Sequence, residues 1–109
     1  MIGYSDFEKV DMRIGTIISV QDFPEARVPS YRLKVDFGKE IGLKNSSAHI
    51  TNYKKEDLLG RKVVAVVNFK PKQVANFISE VLVLGVETEK GVMLLSVDDS
   101  DGVVGGRIR

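Results

Sequence analysis

The sequence has no cysteine and no tryptophan, and only three prolines and one histidine among its 109 residues. Without cysteine, a disulfide framework, a thiolate zinc site, an iron–sulfur cluster and a cysteine nucleophile are all excluded. His49 is the single imidazole, whereas a catalytic zinc ion usually takes several and a serine triad also needs an orienting carboxylate. The sequence therefore predicts a binding protein rather than an enzyme, with no catalytic residue, metal site or cofactor.

Long apolar runs are absent too. No stretch reaches the roughly 20 apolar residues of a membrane-spanning helix, and residues 1–11 lack the basic and apolar segments of a signal peptide. We therefore expect a cytoplasmic protein that does not insert into membranes. The length fits one domain over residues 1–109, and the small core of such a domain favours association with a second copy.

Neither sign of charge is in large excess, since 16 basic and 15 acidic residues give a net charge of +1. The distribution is uneven, because residues 31–80 hold ten basic and five acidic side chains while both flanking segments are acidic. A basic centre can bind phosphate groups, but a solvated surface of mixed charge gives similar counts. Charge alone therefore leaves both interpretations open.

One acidic segment, residues 98–102, combines three aspartates with a glycine, as part of a calcium loop does. It lacks the alternating ligands and the terminal bidentate glutamate of an EF-hand. We therefore interpret the segment as a solvated turn.

β-Branched residues dominate the apolar content, with 16 Val and 8 Ile, and they favour strands over helices. Alternation predicts a strand over residues 13–20, in which Ile14, Thr16, Ile18 and Val20 share the buried face. Alternation or short apolar runs predict the remaining strands: residues 31–37, 41–46, 63–67, 81–86 and 92–97, and a tail strand with Val103 and Val104.

Two short helices complete the prediction. Ser5 and Glu8 form a capping box that begins an N-terminal helix ending near Val10. A helical turn over residues 54–60 ends at Gly60, before the 63–67 strand. This order favours a mainly β protein, an OB-fold five-stranded barrel with a short N-terminal helix and a C-terminal extension.

Residues 68–79 interrupt the strand pattern and mix cations, amides and apolar side chains. Such a segment binds single-stranded nucleic acid when cations meet phosphates and aromatic rings stack on bases. It can equally bind an extended polypeptide in apolar pockets with a polar rim, or simply close the end of the barrel. The candidate polypeptide-binding residues are Phe69, Pro71, Val74, Phe77 and Ile78, together with Arg27.

A basic strand face is the second candidate surface. Arg32 and Lys34 share one face of the 31–37 strand, and we expect Lys44 across the hairpin from them. The alternative is an ordinary solvated face. The candidate RNA-binding residues are Arg32, Lys34, Lys44, Asn45, Lys70, Lys72 and Ser79.

Spaced sequence clusters occur in one order along nearly the whole chain: Asp6-Phe7, Pro24-Glu25-Ala26, Leu33-Lys34-Val35-Asp36 and Asn68-Phe69-Lys70-Pro71. Together they resemble the tRNA-binding domain shared by extensions of some methionyl- and phenylalanyl-tRNA synthetases and by endothelial monocyte-activating polypeptide. Two further segments, Ser46-Ser47-Ala48 and Ser79-Glu80-Val81-Leu82-Val83, resemble the CsaA family within that superfamily. The resemblance implies an OB-fold homodimer that binds preproteins or unfolded polypeptides in support of secretion and contacts the secretion ATPase.

The resemblance also implies where two copies meet, at both ends of the chain: Phe7, Val10, Val103, Val104 and Ile108. Relatives that bind tRNA have a Ser-x-Gly-Met pattern where this chain has residues 79–82, so only Ser79 carries over. Two hypotheses follow, a polypeptide-binding chaperone whose apolar pocket supplies most of the affinity, and a tRNA-binding module whose affinity falls steeply with salt. We favour the chaperone, because the whole-chain resemblance is to CsaA and the net charge is low for RNA binding.

Overall fold

The computed structural model describes residues 1–98 and 101–109, so Asp99 and Ser100 of the acidic turn lie outside the described residues. Within the described residues, no helix has the length and apolar character needed to cross a membrane. The helices are α1 (Tyr4–Glu8), α2 (Gly38–Ile41) and α3 (Lys55–Leu58). The strands are β1 (Met12–Asp22), β2 (Tyr31–Asp36), β3 (Leu43–Ala48), β4 (Lys62–Val66), β5 (Lys72–Val74), β6 (Phe77–Ser79), β7 (Leu82–Val83), β8 (Gly85–Thr88) and β9 (Gly91–Leu94).

Five strands form one antiparallel sheet in the order β3-β2-β1-β4-β7. The sheet curls until β3 meets the segment that precedes β7, where the backbone N–H of Glu80 donates to the carbonyl of Asn45 at 2.8 Å. This contact nearly closes the sheet. The predicted mainly β, five-stranded OB-fold barrel with a short N-terminal helix and a C-terminal extension is confirmed.

The barrel interior is filled by side chains that alternate along the strands. Val35, Phe37 and Val63 have no exposed surface, and Leu58 of α3 covers one end of the barrel with none either. Fully burying an apolar side chain of this size contributes about 1.5–3 kcal/mol to folding. Gly15 faces the same interior, and a Cβ at this position would lie only 2.7 Å from the ring of Phe37.

The predicted buried face of β1 is wrong in its first half, because Gly15 and Ile17 point to the barrel interior while Ile14 and Thr16 lie on the opposite face. Ile17 is fully buried in the core, whereas Ile18 is 44% exposed. The pairing of β1 with β2 shifts its register between Ile17 and Ser19, which is a β-bulge. An extra residue on one strand reverses the faces that follow, so Val20 beyond the bulge packs against the core as predicted, and a single alternation cannot describe the whole strand.

The N-terminal helix begins and ends earlier than predicted. Its N-cap residue is Gly3 rather than Ser5, and the backbone N–H of Gly3 donates to Oδ2 of Asp6 at 3.0 Å. The helix ends at Glu8 rather than near Val10. Asp6 supplies the acceptor three residues after the cap, a role that the sequence had assigned to Glu8.

The C-terminal tail pairs with β1, but through residues 105–108 rather than through Val103 and Val104. The backbone N–H of Ile14 donates to the carbonyl of Gly106 at 3.0 Å. Gly105 has a φ of +83°, which turns the chain sharply after Val104. The strand predicted at Val103 and Val104 is therefore absent, because the chain changes direction there.

Three other segments differ from the prediction. The unpredicted α2 follows β2, so β3 is Leu43–Ala48 rather than 41–46. The strand predicted over 81–86 is interrupted at Leu84 and becomes β7 and β8. Residues 68–79 contain the β5–β6 hairpin, which was predicted only as a break in the pattern.

Candidate functional site

A groove of about 1080 Å³ runs between the 25–28 loop and the β5–β6 hairpin. The end of β3 and residues 79–82 also line it. The groove therefore lies where the barrel closes. Its lining residues are Glu25, Ala26, Arg27, Val28, Ser30, Ser47, His49, Phe69, Lys70, Lys72, Gln73, Val74, Ala75, Ser79, Glu80, Val81 and Leu82.

Large apolar side chains are exposed within this groove. Phe69 is 55% exposed, Val28 50% and Leu82 47%, while Val74 is half-buried beside them. Apolar surface in a concave site can be removed from water by a ligand, and that removal is favourable. The groove is thus able to bind apolar groups.

The β5–β6 hairpin separates the candidate polypeptide-binding residues. Val74 and Phe77 are directly opposite each other and share one face, and Phe77 packs edge-on against the buried Phe23 at 5.6 Å between ring centroids. Ile78 pairs with Gln73 on the other face and is 48% exposed. Of the six candidates, Arg27, Phe69 and Val74 line the groove, Phe77 supports the hairpin, and Pro71 and Ile78 are not lining residues.

Three exposed cations, Arg27, Lys70 and Lys72, stand on the rim of the groove. In the part of the chain that the structure describes, none of them takes part in an ion pair. Glu25, in the same loop as Arg27, accepts a long hydrogen bond of 3.4 Å from the side-chain amide of Asn76. The rim therefore carries an excess of positive charge.

The predicted position of Lys44 beside Lys34 is wrong. The register pairs Lys34 with Asn45, whereas Lys44 pairs with the buried Val35 on the other face of the sheet. Lys44 Nζ instead lies 3.8 Å from Oε2 of Glu80. The α2 turn moved β3 along the sequence, so the opposing pairs could not be read from hairpin spacing.

Arg32 packs on Phe23, with its guanidinium carbon 5.4 Å from the centroid of the ring. Its Nε is buried and has no hydrogen-bond partner among the described residues. The neighbouring Ser47, directly opposite Arg32, donates its backbone N–H to Oγ of Ser79 at 3.0 Å. Of the candidate RNA-binding residues, Lys70, Lys72 and Ser79 line the groove, whereas Arg32, Lys34, Lys44 and Asn45 do not.

Several lining residues could not be predicted from the sequence, because the groove is formed by segments that are far apart in the chain. Val28 and Leu82 both line the groove although they are far apart in the sequence, and no local pattern placed them together. His49 also lines the groove. Among residues 1–98 and 101–109, no cluster of three or more histidine or carboxylate side chains has the arrangement of a metal site.

The residues assigned to contact between copies fall into two groups. Phe7, Val10 and Ile108 line a small cleft of about 70 Å³ between α1 and the C-terminal tail. Val103 and Val104 lie elsewhere: Val104 is next to Gly38 at the start of α2, and the carbonyl of Val103 accepts a hydrogen bond from the backbone N–H of Gly106 at 2.9 Å. The two ends of the chain are thus brought together.

The chain is similar to known proteins over most or all of its length. Residues 12–105 match the family model described as "Putative tRNA binding domain". The structure of the CsaA chaperone protein from Picrophilus torridus is 59% identical, with a TM-score of 0.95 and full coverage of both chains. The chaperone CsaA from Bacillus anthracis is 49% identical, with a TM-score of 0.90, and the alignment covers 100% of this chain and 99% of that one.

Curated relatives include much longer enzymes. The methionine–tRNA ligase of Nanoarchaeum equitans is 42% identical over 103 residues, which are 90% of this chain and 12% of the ligase. The chain spans 12% to 16% of the length of the ligases it matches. The matched region corresponds to the barrel and its tail. The chain therefore belongs to the tRNA-binding domain family and, within it, to the group of CsaA proteins.

Proposed function

We propose that the protein is a chaperone that binds preproteins and other unfolded polypeptides in the groove, in support of secretion. The observation that carries this proposal is the exposure of Phe69, Val28 and Leu82 inside a single concave site. The similarity to proteins named as CsaA chaperones supports it. The proposed action is binding without turnover, in the cytoplasm, followed by transfer of the client to the secretion ATPase.

A pair of matched substitutions tests the groove. Phe69→Ser removes an exposed apolar ring from the lining, whereas Ile78→Ser removes a similarly exposed apolar side chain outside it. Fluorescence anisotropy with a labelled unfolded preprotein segment should show about tenfold weaker binding for Phe69→Ser and no change for Ile78→Ser. Equal affinities for the two variants would remove the groove from the proposed function.

Binding of tRNA is the second candidate function. Two basic residues of the candidate set, Lys70 and Lys72, line the groove together with Ser79, and the matching family model is described as tRNA-binding. Phosphate contacts release counterions, so tRNA affinity would fall steeply between low and near-physiological salt. Peptide binding that persists in salt, with little tRNA binding, would favour the chaperone over this alternative.

We also propose a homodimer that joins through the chain ends. Tyr4 lines the cleft with Phe7 and Ile108 and is 68% exposed, and Ile2, two residues before it in the sequence, is 77% exposed. Such apolar surface favours association with a second copy. Light scattering should give twice the 12.1 kDa chain mass, and Tyr4→Glu should shift it towards the monomer; a wild-type monomer would contradict the proposal.

A further inference from the structure

The β5 strand presents its edge to the groove. Its successive residues Lys72, Gln73 and Val74 all line the groove, as does Ala75. Successive side chains on a strand point to opposite faces, so a strand that faced the groove would contribute only every second residue. Four consecutive lining residues therefore indicate that the strand borders the groove edge-on.

Among the described residues, no strand other than β6 pairs with β5, because the two form a sheet of their own, so the edge that faces the groove is free. The hairpin loop has two residues, Ala75 and Asn76. In a hairpin with such a loop, the residues on either side of it, here Val74 and Phe77, exchange the hydrogen bonds that close the hairpin. The next pair, Gln73 with Ile78, is then of the non-hydrogen-bonded type. The backbone N–H and carbonyl of Gln73 point away from β6, towards the groove.

The free edge of β5 is short, because a proline, Pro71, comes directly before the strand. Pro71 has no backbone N–H, so Gln73 supplies the one donor and acceptor pair on this edge. Arg27, Lys70 and Lys72 stand around this position. Their charge is complementary to acidic side chains.

We infer that the groove binds its polypeptide as an extended strand, paired with the edge of β5 at Gln73, and selects segments in which acidic side chains alternate with apolar ones. The inference rests on the proposed function and specifies its ligand. A bound strand directs alternate side chains to opposite sides. One set meets the apolar lining around Phe69, and the other meets the cations of the rim.

A polypeptide satisfies this arrangement better than RNA does. Strand addition requires a ligand that offers an N–H donor and a carbonyl acceptor at one residue, as a peptide backbone does. The sugar-phosphate backbone offers phosphate acceptors to Lys70 and Lys72 and has hydroxyl groups, but it does not present a donor and an acceptor at the spacing of a neighbouring strand, as pairing with Gln73 requires. The apolar side chains of Val28 and Leu82 add a preference for aliphatic groups.

The backbone pairing can be tested from the protein side. Gln73→Pro removes the outward N–H without removing a backbone hydrogen bond of the hairpin, whereas Gln73→Ala keeps the N–H. Both variants lose the hydrogen bond that Nε2 of Gln73 donates to the carbonyl of Ala75 at 3.1 Å, so the alanine variant is the control for that loss. Binding of a labelled nonrepetitive peptide of about nine residues, long enough for one strand, should weaken at least fivefold in Gln73→Pro and stay within twofold in Gln73→Ala. Equal affinity in all three proteins would overturn the strand pairing.

The same pairing can be tested from the peptide side, without any risk to folding. A set of peptides, each N-methylated at a different residue, can be compared. Each peptide loses one backbone N–H donor and keeps its charge. One position should lose at least fivefold in affinity, about the effect of one hydrogen bond, and its two neighbours should bind like the parent peptide. A uniform effect along the peptide would contradict an extended strand.

The preference for acidic peptides can be tested by exchanging charged residues in the peptide and in the protein. At low ionic strength, replacing glutamate by lysine in the peptide should weaken binding about fivefold, and Lys72→Glu should restore it. If the parent peptide binds but the proline, N-methyl and charge variants all bind equally well, the chaperone proposal stands and this inference is overturned. No binding of any peptide, with salt-sensitive binding of tRNA, would overturn both.

Discussion

Asn45 and Glu80 hold each other by two hydrogen bonds that run in opposite directions. The backbone N–H of Glu80 donates to the carbonyl of Asn45 at 2.8 Å, and the backbone N–H of Asn45 donates to Oε1 of Glu80 at 3.0 Å. These bonds join β3 to the segment before β7, which is the last seam of the barrel. Glu80 also lines the groove, so barrel closure and groove geometry depend on the same residue.

Substitution of Glu80 should therefore destabilise the barrel. Glu80→Ala leaves the N–H of Asn45 without its acceptor, and we expect a loss of about 1–3 kcal/mol in the free energy of unfolding. Glu80→Gln keeps an acceptor oxygen and loses only the ion pair with Lys44, so its loss should be within about 1 kcal/mol. Urea denaturation of both variants measures the difference, and equal losses would show that the hydrogen bond contributes little.

The hairpin should be anchored by Phe77 and not by Ile78. Phe77→Ala removes the ring contact with Phe23 and should cost about 2–4 kcal/mol. Ile78→Ala shortens an exposed side chain and should change stability by less than about 0.5 kcal/mol. Thermal unfolding distinguishes the two variants. A stable Phe77→Ala protein would mean that the hairpin is held by other contacts.

Gly15 is required by the space around it. An added Cβ would approach Cγ1 of Val35 at 2.6 Å and the ring of Phe37 at 2.7 Å, and both side chains are fully buried. Gly15→Ala should therefore cost about 1–3 kcal/mol, the usual effect of overpacking a core. Gly3→Ala is a suitable control, because no atom lies closer than 3.9 Å to its Cβ position. Similar stability of the two variants would mean that the core adapts without strain.

Arg13 should fix the C-terminal tail to β1. Its Nε donates to Asp11 at 2.7 Å, and Nη1 donates to the carbonyl of Gly105 at 3.0 Å. Arg13→Lys keeps the charge but not the planar arrangement of donors, so we expect a loss of about 1–2 kcal/mol and faster proteolysis after residue 104. Urea denaturation and limited proteolysis measure these effects, and an unchanged cleavage rate would contradict the role.

The contribution of Arg13 should not depend on pH near neutrality. The side-chain hydrogen bond to Asp11 raises the pKa of Arg13 above its ordinary value. A raised pKa means that the stabilisation is fully present at lower pH and is lost only as the pH rises into strong alkali. The difference between Arg13→Lys and the wild type should thus be constant from pH 7 to 9.

Much of the barrel could be predicted because its strands are regular. Tyr31, Leu33 and Val35 alternate without interruption and are all buried, and the apolar run in β4 is buried on both faces. Gly60 ends the α3 segment with a φ of +81°, as its sequence position indicated. These features follow from local side-chain periodicity and backbone preference, which are properties of neighbouring residues.

Other features depended on contacts between distant segments. The bulge between Ile17 and Ser19 arises from pairing with β2, and it reverses the side of β1 that faces the core, which local alternation could not show. The groove combines residues from the 25–28 loop, β3 and β5. Candidate residues that are close in sequence therefore differ in role: Val74 lines the groove, whereas Phe77 packs against Phe23.

The sequence by itself determined the class of fold and the segment that carries the site. The tertiary structure alone decided which side chains of that segment reach the groove and which support it. The physical reason is that a strand alternates its faces but cannot specify what covers each face, since burial and register are set by the partner strands.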